Sequence, residues 1–248
     1  MMKLKMLIIG VVLMIYSLAS AQNAEYRLNE TLYVWEMHGV QMIDHPSKPD
    51  PIKSRYYYGL PARVVDIEPF KYQASVEVND GYEMQGHWVR VIIQQDTGYV
   101  FDGYLGKLKP FDLRSNAQGI DLVMANYEGT AQVSKEVRSF SLQEGLENGE
   151  SRESSFYNGI EWNIRNVNPC VVEKYTIPTR RFSEAYQFMM AVYSNYFDQE
   201  VNFMAEPEFL RMSGNRTDFF LRGKEKNKQI SLYREGNAFV INSFLCSD

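Results

Sequence analysis

The 248-residue sequence has few of the residues on which common enzyme chemistry depends. It contains only three histidines, His38, His45 and His87, and two cysteines. The histidines lack the tight spacing of zinc ligands. No His-Glu-x-x-His motif, Gly-x-Ser-x-Gly nucleophile turn, phosphate loop or dinucleotide fingerprint occurs. The sequence therefore offers no catalytic residue, no metal site and no cofactor site.

An excess of positive charge is also missing. The chain has 26 Lys and Arg residues against 31 Asp and Glu residues, a net charge of −5. Because binding to a phosphate backbone needs a basic surface, we expect no nucleic-acid partner. The 45% hydrophobic and 14% aromatic content is that of a folded chain, long enough for two modest domains. The many tyrosines and phenylalanines favour β structure.

Long apolar runs are absent except near the N-terminus. Lys3 and Lys5 precede an apolar stretch over residues 6–18, and Ala19-Ser20-Ala21 supplies the small residues of a cleavage site. This arrangement is typical of a secretory signal peptide, here residues 1–21. The stretch is shorter than the roughly 20 residues of a membrane-spanning helix, although an uncleaved N-terminal anchor is the alternative. We expect an exported protein, periplasmic or extracellular, with no membrane span after cleavage.

The two cysteines are Cys170 and Cys246. In an oxidising compartment such a pair predicts a disulfide, and two buried free thiols are the alternative. A peptidase nucleophile at Cys170 is disfavoured, because no histidine follows it and because it enters a predicted strand rather than a helix.

Apolar alternation and turn residues predict short strands through the first half of the chain. These strands cover residues 32–37, 40–43, 54–58, 62–67, 88–93 and 99–101. Residues 68–86 are interpreted as an elaborated loop that contains a small strand at residues 75–78 and a turn at Asn79-Asp80-Gly81. The apolar alternation is lost over residues 107–119, where we place a domain boundary.

The second half, residues 119–248, predicts an α+β domain in which one helix packs on an antiparallel sheet. Apolar residues at spacings of three and four predict the helix over about residues 180–197, with Thr179 as its N-cap. The predicted strands cover residues 120–127, 137–142, 160–164, 171–177, 209–212, 218–221, 230–233 and 238–245.

Residues 32–108 resemble the bacterial SH3 (SH3b) family. Residues 40–46 match the opening of the family pattern, and Tyr58-Gly59-Leu60-Pro61-Ala62-Arg63-Val64 matches its centre. The close of the pattern is matched by Gly86–Val91, Thr97–Val100 and Tyr104-Leu105. The usual Asn-Val-Arg-x-Gly-Pro of the opening is replaced here by residues 41–46. No family is recognised for residues 120–248.

The resemblance implies an SH3-like β-barrel over residues 30–112, and hence a mainly β protein with an α+β second domain. It also implies binding of cell-wall peptide or of a protein partner, without catalysis. Exposed aromatic side chains on a small barrel suit an extended peptide. The candidates for ligand contact are Tyr56, Tyr57, Tyr58, Trp88, Tyr99 and Tyr104, and packing within the barrel is the alternative for each.

The sequence thus predicts an exported, non-enzymatic binding protein of the bacterial cell envelope. Two alternatives remain open at this point. One is a cell-wall-related hydrolase whose active site lies in the C-terminal domain, and the other is a structural component of an envelope assembly.

Overall fold

The computed structural model describes residues 26–47, 52–66, 72–112, 119–127, 134–140, 149–156, 158–167, 170–194, 196–198, 203–222 and 228–246. The predicted signal peptide lies outside these ranges. Within them, no helix is both long and apolar enough to cross a membrane.

The first half forms a curled antiparallel sheet and a separate two-stranded ribbon. The elements are β1 (Thr31–Val34), β2 (Val40–Met42), β3 (Ser54–Tyr56), β4 (Pro61–Asp66), β5 (Gln73–Asn79), β6 (Tyr82–Ile93), β7 (Asp96–Phe101), a single-turn 3-10 helix (Asp102–Tyr104) and β8 (Leu105–Gly106). The strand order of the curled sheet is β5-β6-β4-β1-β8, with β7 also paired to β6, and the ribbon β2-β3 joins β7 through a bridge between Ile43 and Tyr99. Alternate residues of the strands bury their apolar side chains inside the curl, as a half-closed barrel requires.

The second half forms an eight-stranded sheet. Its strands are β9 (Ser134–Phe140), β10 (Gly149–Ser155), β11 (Glu161–Val167), β12 (Cys170–Ile177), β15 (Glu208–Ser213), β16 (Arg216–Leu221), β17 (Lys228–Glu235) and β18 (Ala238–Cys246). They are antiparallel throughout and follow the order β15-β16-β17-β18-β12-β11-β10-β9. A small ribbon pairs β13 (Tyr196–Asp198) with β14 (Phe203–Ala205), and the helices are α1 (Gly119–Tyr127) and α2 (Phe182–Tyr193). The fold class is confirmed: mainly β, a curled sheet followed by an antiparallel sheet packed by a helix.

Two predictions differ from the structure, the first in the type of element and the second in the extent of the strands. The segment 120–127, predicted as a strand, is helix α1, because Ile120, Val123, Met124 and Tyr127 follow helical spacing and pack on the core. Within residues 68–86, the small strand predicted at residues 75–78 lies in β5 and the turn at Asp80-Gly81 is confirmed, but β5 is longer than predicted and β6 begins at Tyr82, inside the segment interpreted as a loop.

Helix α2 is shorter than predicted, because it ends at Tyr193 and residues 196–198 belong to β13. Thr179 is not its N-cap. That position is occupied by Arg181, which makes no side-chain cap bond. The Thr179 hydroxyl instead accepts a hydrogen bond from the Arg181 backbone N–H at 3.1 Å and donates one to Glu184. Thr179 therefore still stabilises the first turn.

The predicted disulfide is present. Cys170 and Cys246 are bonded, and they face each other in the register of β12 and β18. The sulfur of Cys170 is therefore not a free thiol that could act as a nucleophile. A cross-link over a sequence separation of 76 residues constrains the unfolded chain by about 4 kcal/mol on the loop-entropy model.

Helix α2 joins the two halves into one core. Every residue from Ser183 to Tyr193 is buried, because α2 lies between the 3-10 turn and β8 on one side and β18 on the other. Trp35 of the first half packs on Phe188 of α2 with ring centroids 6.3 Å apart, and Tyr82 packs on Tyr186 at 6.1 Å. A single apolar cluster therefore contains residues of both halves. The domain boundary at residues 107–119 stays a prediction.

Candidate ligand-binding cleft between the two halves

A cleft of about 590 Å³ opens where the β5–β6 hairpin meets the N-terminal end of α2. Its volume lies within the range of roughly 300–1,000 Å³ that is usual for ligand sites. The first half contributes the hairpin and the start of the 3-10 turn, and the second half contributes the segment 180–183 together with Met212 and Phe239. The cleft therefore exists only because the two halves are packed together.

A buried carboxylate, that of Asp102, lies at the base of the cleft and is 3% exposed. Its Oδ1 accepts a hydrogen bond from the His87 backbone N–H at 2.8 Å, and its Oδ2 accepts one from the Tyr26 hydroxyl at 3.4 Å. His87 Nδ1 lies 3.5 Å from Oδ2, and Arg181 Nη2 lies 3.8 Å from the same atom. A buried charge needs such donors and an opposite charge to compensate for lost hydration.

Gly86 allows Asp102 to lie against strand β6. A Cβ atom at Gly86 would overlap the Asp102 carboxylate and would lie 2.7 Å from Cε2 of Phe101. The backbone of Gly86 has no positive φ, so the requirement for glycine is purely steric. The first residue of the Gly-His-Trp pattern therefore makes room for the base of the cleft.

Arg181 and Glu184 attach the first turn of α2 to the curled sheet. Arg181 Nη2 donates a hydrogen bond to the Asp102 backbone oxygen at 2.7 Å, and Glu184 Oε1 accepts one from the Lys107 backbone N–H at 2.7 Å. Arg181 Nη1 lies 3.8 Å from Glu184 Oε1. Gln187, one turn further, donates to the backbone oxygen of Gly103 at 3.2 Å. The base of the cleft is therefore held by hydrogen bonds that cross between the halves.

The sides of the cleft combine polar and apolar groups. Glu83 and Gln85 of β6 are exposed and are joined through Ser75: the Ser75 hydroxyl donates to Glu83 Oε2 at 2.7 Å and accepts from Gln85 Nε2 at 2.8 Å. Met212 is 57% exposed and is an apolar surface on the other side of the junction. Such a lining suits a ligand that has both charged and apolar parts.

Tyr82 also lines the cleft and presents a neutral side chain to it. Burial raises the pKa of Tyr82 to about 12, so its hydroxyl stays protonated at neutral pH. Its ring packs on Phe209 and Tyr186, which fixes its position. Tyr82 therefore contributes a rigid surface with one polar end.

The predicted tyrosine run does not form one surface. Tyr56 is buried, and its hydroxyl donates to the Asp96 carboxylate. The Tyr58 hydroxyl accepts a hydrogen bond from the Phe111 backbone N–H at 3.0 Å. Tyr57 is the exposed member of the run, at 70%. None of the three lines the cleft.

The other aromatic candidates lie elsewhere on the curled sheet. Trp88 is half-buried against Phe101, with ring centroids 6.2 Å apart. Tyr99 belongs to a small surface cluster with His45 and Tyr72, whose centroids lie 5.7 and 5.5 Å from that of Tyr99. Tyr104, also half-buried, packs edge-on against Phe101. The structure thus brings Tyr99 together with two residues that were not predicted to contact a ligand.

The three histidines lie in three different places. His38 Nε2 lies 2.9 Å from Glu206 Oε1 at the surface, His45 is in the aromatic cluster, and His87 is in the cleft. Among the residues that the structure describes, no group of three or more His, Cys, Asp or Glu side chains could hold a metal ion.

The residues at the base of the cleft were missed because they are distant in sequence. Asp102 and Arg181 are separated by 79 positions, and a buried ion pair of this kind leaves no periodic pattern. The only local signal was Arg180-Arg181 at the start of the predicted helix, where positive charge is unfavourable for the helix dipole and therefore indicates another role.

Comparison of the chain with protein-family models, with curated proteins and with solved structures finds no match. The resemblance of residues 32–108 to the bacterial SH3 family therefore stays a prediction.

Proposed function

We propose that this protein is an exported, non-enzymatic binding protein of the bacterial cell envelope, and that it binds peptide in the cleft between its two halves. The observation that carries the proposal is the cleft itself: about 590 Å³, with polar and apolar sides above a hydrogen-bonded base. Cell-wall peptide is the ligand we favour, and a segment of an envelope protein is the alternative.

A preformed base favours binding. Asp102, Arg181 and Glu184 are all buried and are linked to backbone groups of the first half: those of His87 in the hairpin, of Asp102 in the 3-10 turn and of Lys107 after β8. A site that is already ordered loses little conformational entropy when a ligand enters. Gln85, also in the lining, is exposed and donates to the Ser75 hydroxyl at 2.8 Å, which leaves its amide oxygen for a ligand.

Three sequence features support the envelope as the location. The first 21 residues have the organisation of a signal peptide, and residues 32–108 resemble a family that binds wall peptide. The disulfide between Cys170 and Cys246 fits an oxidising compartment.

Retention on purified peptidoglycan tests the proposal. Three proteins are incubated with sacculi and sedimented: the mature chain from Gln22, a Gln85→Trp variant that fills the cleft, and a Tyr57→Ala variant, whose substitution lies outside the cleft in the segment after β3. We expect retention of the mature chain, loss of retention for Gln85→Trp and no change for Tyr57→Ala. Circular dichroism of all three proteins controls for folding.

Two other outcomes would contradict the proposal, one for the ligand and one for the site. Absence of retention for the mature chain would contradict binding to the cell wall. Loss of retention for Tyr57→Ala alone would place the binding surface at the predicted tyrosine run, residues 56–58, and would exclude the cleft.

A further inference from the structure

We propose that the cleft binds a short zwitterionic peptide, whose free carboxylate contacts Arg180 and whose free ammonium group contacts Glu83. This inference rests on the proposed function and specifies the ligand of the same cleft. It follows from the two charges that remain in the lining once the buried network is accounted for, and from the apolar groups beside them.

The positive charge of Arg181 is already compensated. Its guanidinium lies 3.8 Å from Asp102 Oδ2 and 3.8 Å from Glu184 Oε1, and it is buried. The preceding residue, Arg180, also lines the cleft but is exposed. Within the described part of the chain, no carboxylate forms an ion pair with Arg180. A guanidinium in this position can accept a ligand carboxylate in two-point geometry.

The negative charge of Asp102 is likewise compensated, by Arg181 and by hydrogen bonds. Glu83, from the opposite half, is different. It is exposed, its Oε2 accepts only the neutral hydroxyl of Ser75 at 2.7 Å, and no lysine or arginine of the described residues pairs with it. The bond from Ser75 orients the carboxylate and leaves Oε1 for a ligand ammonium group.

Apolar groups lie in the same cleft. Phe182 and Met212 are partly or largely accessible, and Phe239 is buried beside them. An apolar side chain of the ligand would remove the exposed surface of Met212 from water, which is favourable by about 25 cal/mol for each Å². The limited volume restricts the ligand to a few residues.

Opposite charges on the two halves fix the direction of the ligand. A peptide with both ends free places one charge at each half, whereas the reversed orientation brings like charges together. Short wall peptides and short peptides from protein breakdown share this chemistry, and the experiment separates them from a longer segment of a protein partner, which has no free ends in the cleft.

Calorimetric titration with four forms of one tripeptide tests the inference. Ala-Leu-Ala is used with free ends, with an acetylated N-terminus, with an amidated C-terminus, and with both ends blocked. The proteins are the mature chain, Arg180→Gln and Glu83→Gln. Arg63→Gln and Glu161→Gln, exposed residues outside the cleft, are the matched controls. The same proteins are also sedimented with peptidoglycan.

We expect amidation and acetylation each to weaken binding to the mature chain by about fivefold, the range of a partly exposed charge pair. The Arg180→Gln variant should bind the peptides with a free and with an amidated C-terminus equally. The Glu83→Gln variant should bind the peptides with a free and with an acetylated N-terminus equally. The control variants should behave as the mature chain does.

Equal binding of all four peptides would overturn the inference and leave the proposed function standing. So would the absence of peptide binding by a protein that is retained on peptidoglycan. Absence of both peptide binding and retention would contradict the proposed function as well.

Discussion

At the scale of single residues, Gly86 leaves space at the point where Asp102 lies against strand β6. Gly86→Ala should lower the free energy of unfolding by about 1–3 kcal/mol, because a Cβ atom would overlap the Asp102 carboxylate and the Phe101 ring in a packed region. Urea titration measures the change. Gln85→Ala, at the neighbouring exposed position, is the control and should change stability by less than about 0.5 kcal/mol. An unchanged free energy of unfolding for Gly86→Ala would contradict the tight packing at this point.

Asp102 itself compensates a buried cation. Asp102→Asn should destabilise the protein by about 3 kcal/mol, since the Arg181 guanidinium, 5% exposed, would lose one of its two carboxylates. Asp44→Asn is the matched control, because Asp44 forms a largely exposed ion pair with Lys53 at 2.9 Å and should cost less than about 1 kcal/mol. Equal effects of the two substitutions would show that the base of the cleft is hydrated.

At the scale of secondary-structure elements, Asp218 links strands β15, β16 and β17. Arg216 Nε donates to Oδ1 at 2.6 Å, Arg211 Nε donates to Oδ2 at 3.1 Å, and the Ser231 hydroxyl donates to Oδ1 at 2.8 Å. Burial by itself raises the pKa of the carboxyl, but the hydrogen bonds from Arg216, Ser231 and Arg211 outweigh it and hold the pKa below the ordinary value of 3.8.

This lowered pKa makes the contribution of Asp218 depend on pH. A carboxyl with a folded-state pKa below its unfolded value stabilises the protein above the unfolded pKa, and the stabilisation is lost as the pH falls through the folded pKa. Asp218→Asn should therefore cost about 1–2 kcal/mol at pH 7 and much less near pH 2. Urea titrations at several pH values between these limits test this. A difference between the proteins that does not vary with pH would contradict the role of the ionised form.

Elements with a clear apolar period were predictable from the sequence, and continuous or weak patterns were not. Ile160, Trp162 and Ile164 alternate with polar residues, and strand β11 was placed correctly. Residues 120–127 are apolar almost throughout, a pattern that a short strand and a buried helix share, so α1 was mistaken for a strand. In β5, Ala74, Val76 and Val78 do alternate with exposed residues, but alanine and a flanking irregular stretch weakened the signal.

The base of the cleft shows the limit of such patterns. Asp102 and Arg181 contact each other only because α2 is packed against the curled sheet. The predicted ligand contacts were tyrosines and Trp88, and they stay a prediction. The structure adds that Tyr56 is buried and that the hydroxyls of Tyr56 and Tyr58 have hydrogen-bond partners within the fold. A local pattern indicates that an aromatic residue belongs to a strand, whereas its accessibility depends on the rest of the fold.

At the scale of the whole molecule, the shared core predicts that the two halves unfold together. Trp35 and Tyr82 of the first half pack against α2, and the Tyr186 hydroxyl donates to the Val78 backbone oxygen at 3.1 Å. Separating the halves would expose these rings to water and would break the contact between Asp102 and Arg181. Amide hydrogen exchange should therefore give the same free energy for the slowest amides of β4 and β6 as for those of β12 and β18.

The Asp102→Asn variant gives a more specific test of whether the two halves unfold together. In a cooperative molecule it lowers the exchange free energy of the slowest amides in both sheets by the same amount, because both are protected only by global unfolding. Two independent domains would give different free energies, and the substitution would then lower chiefly that of the curled sheet, since Asp102 lies in the 3-10 turn of the same half. Since the cleft is lined from both halves, cooperative unfolding would also mean that a ligand in the cleft protects β12 and β18, strands that it does not touch.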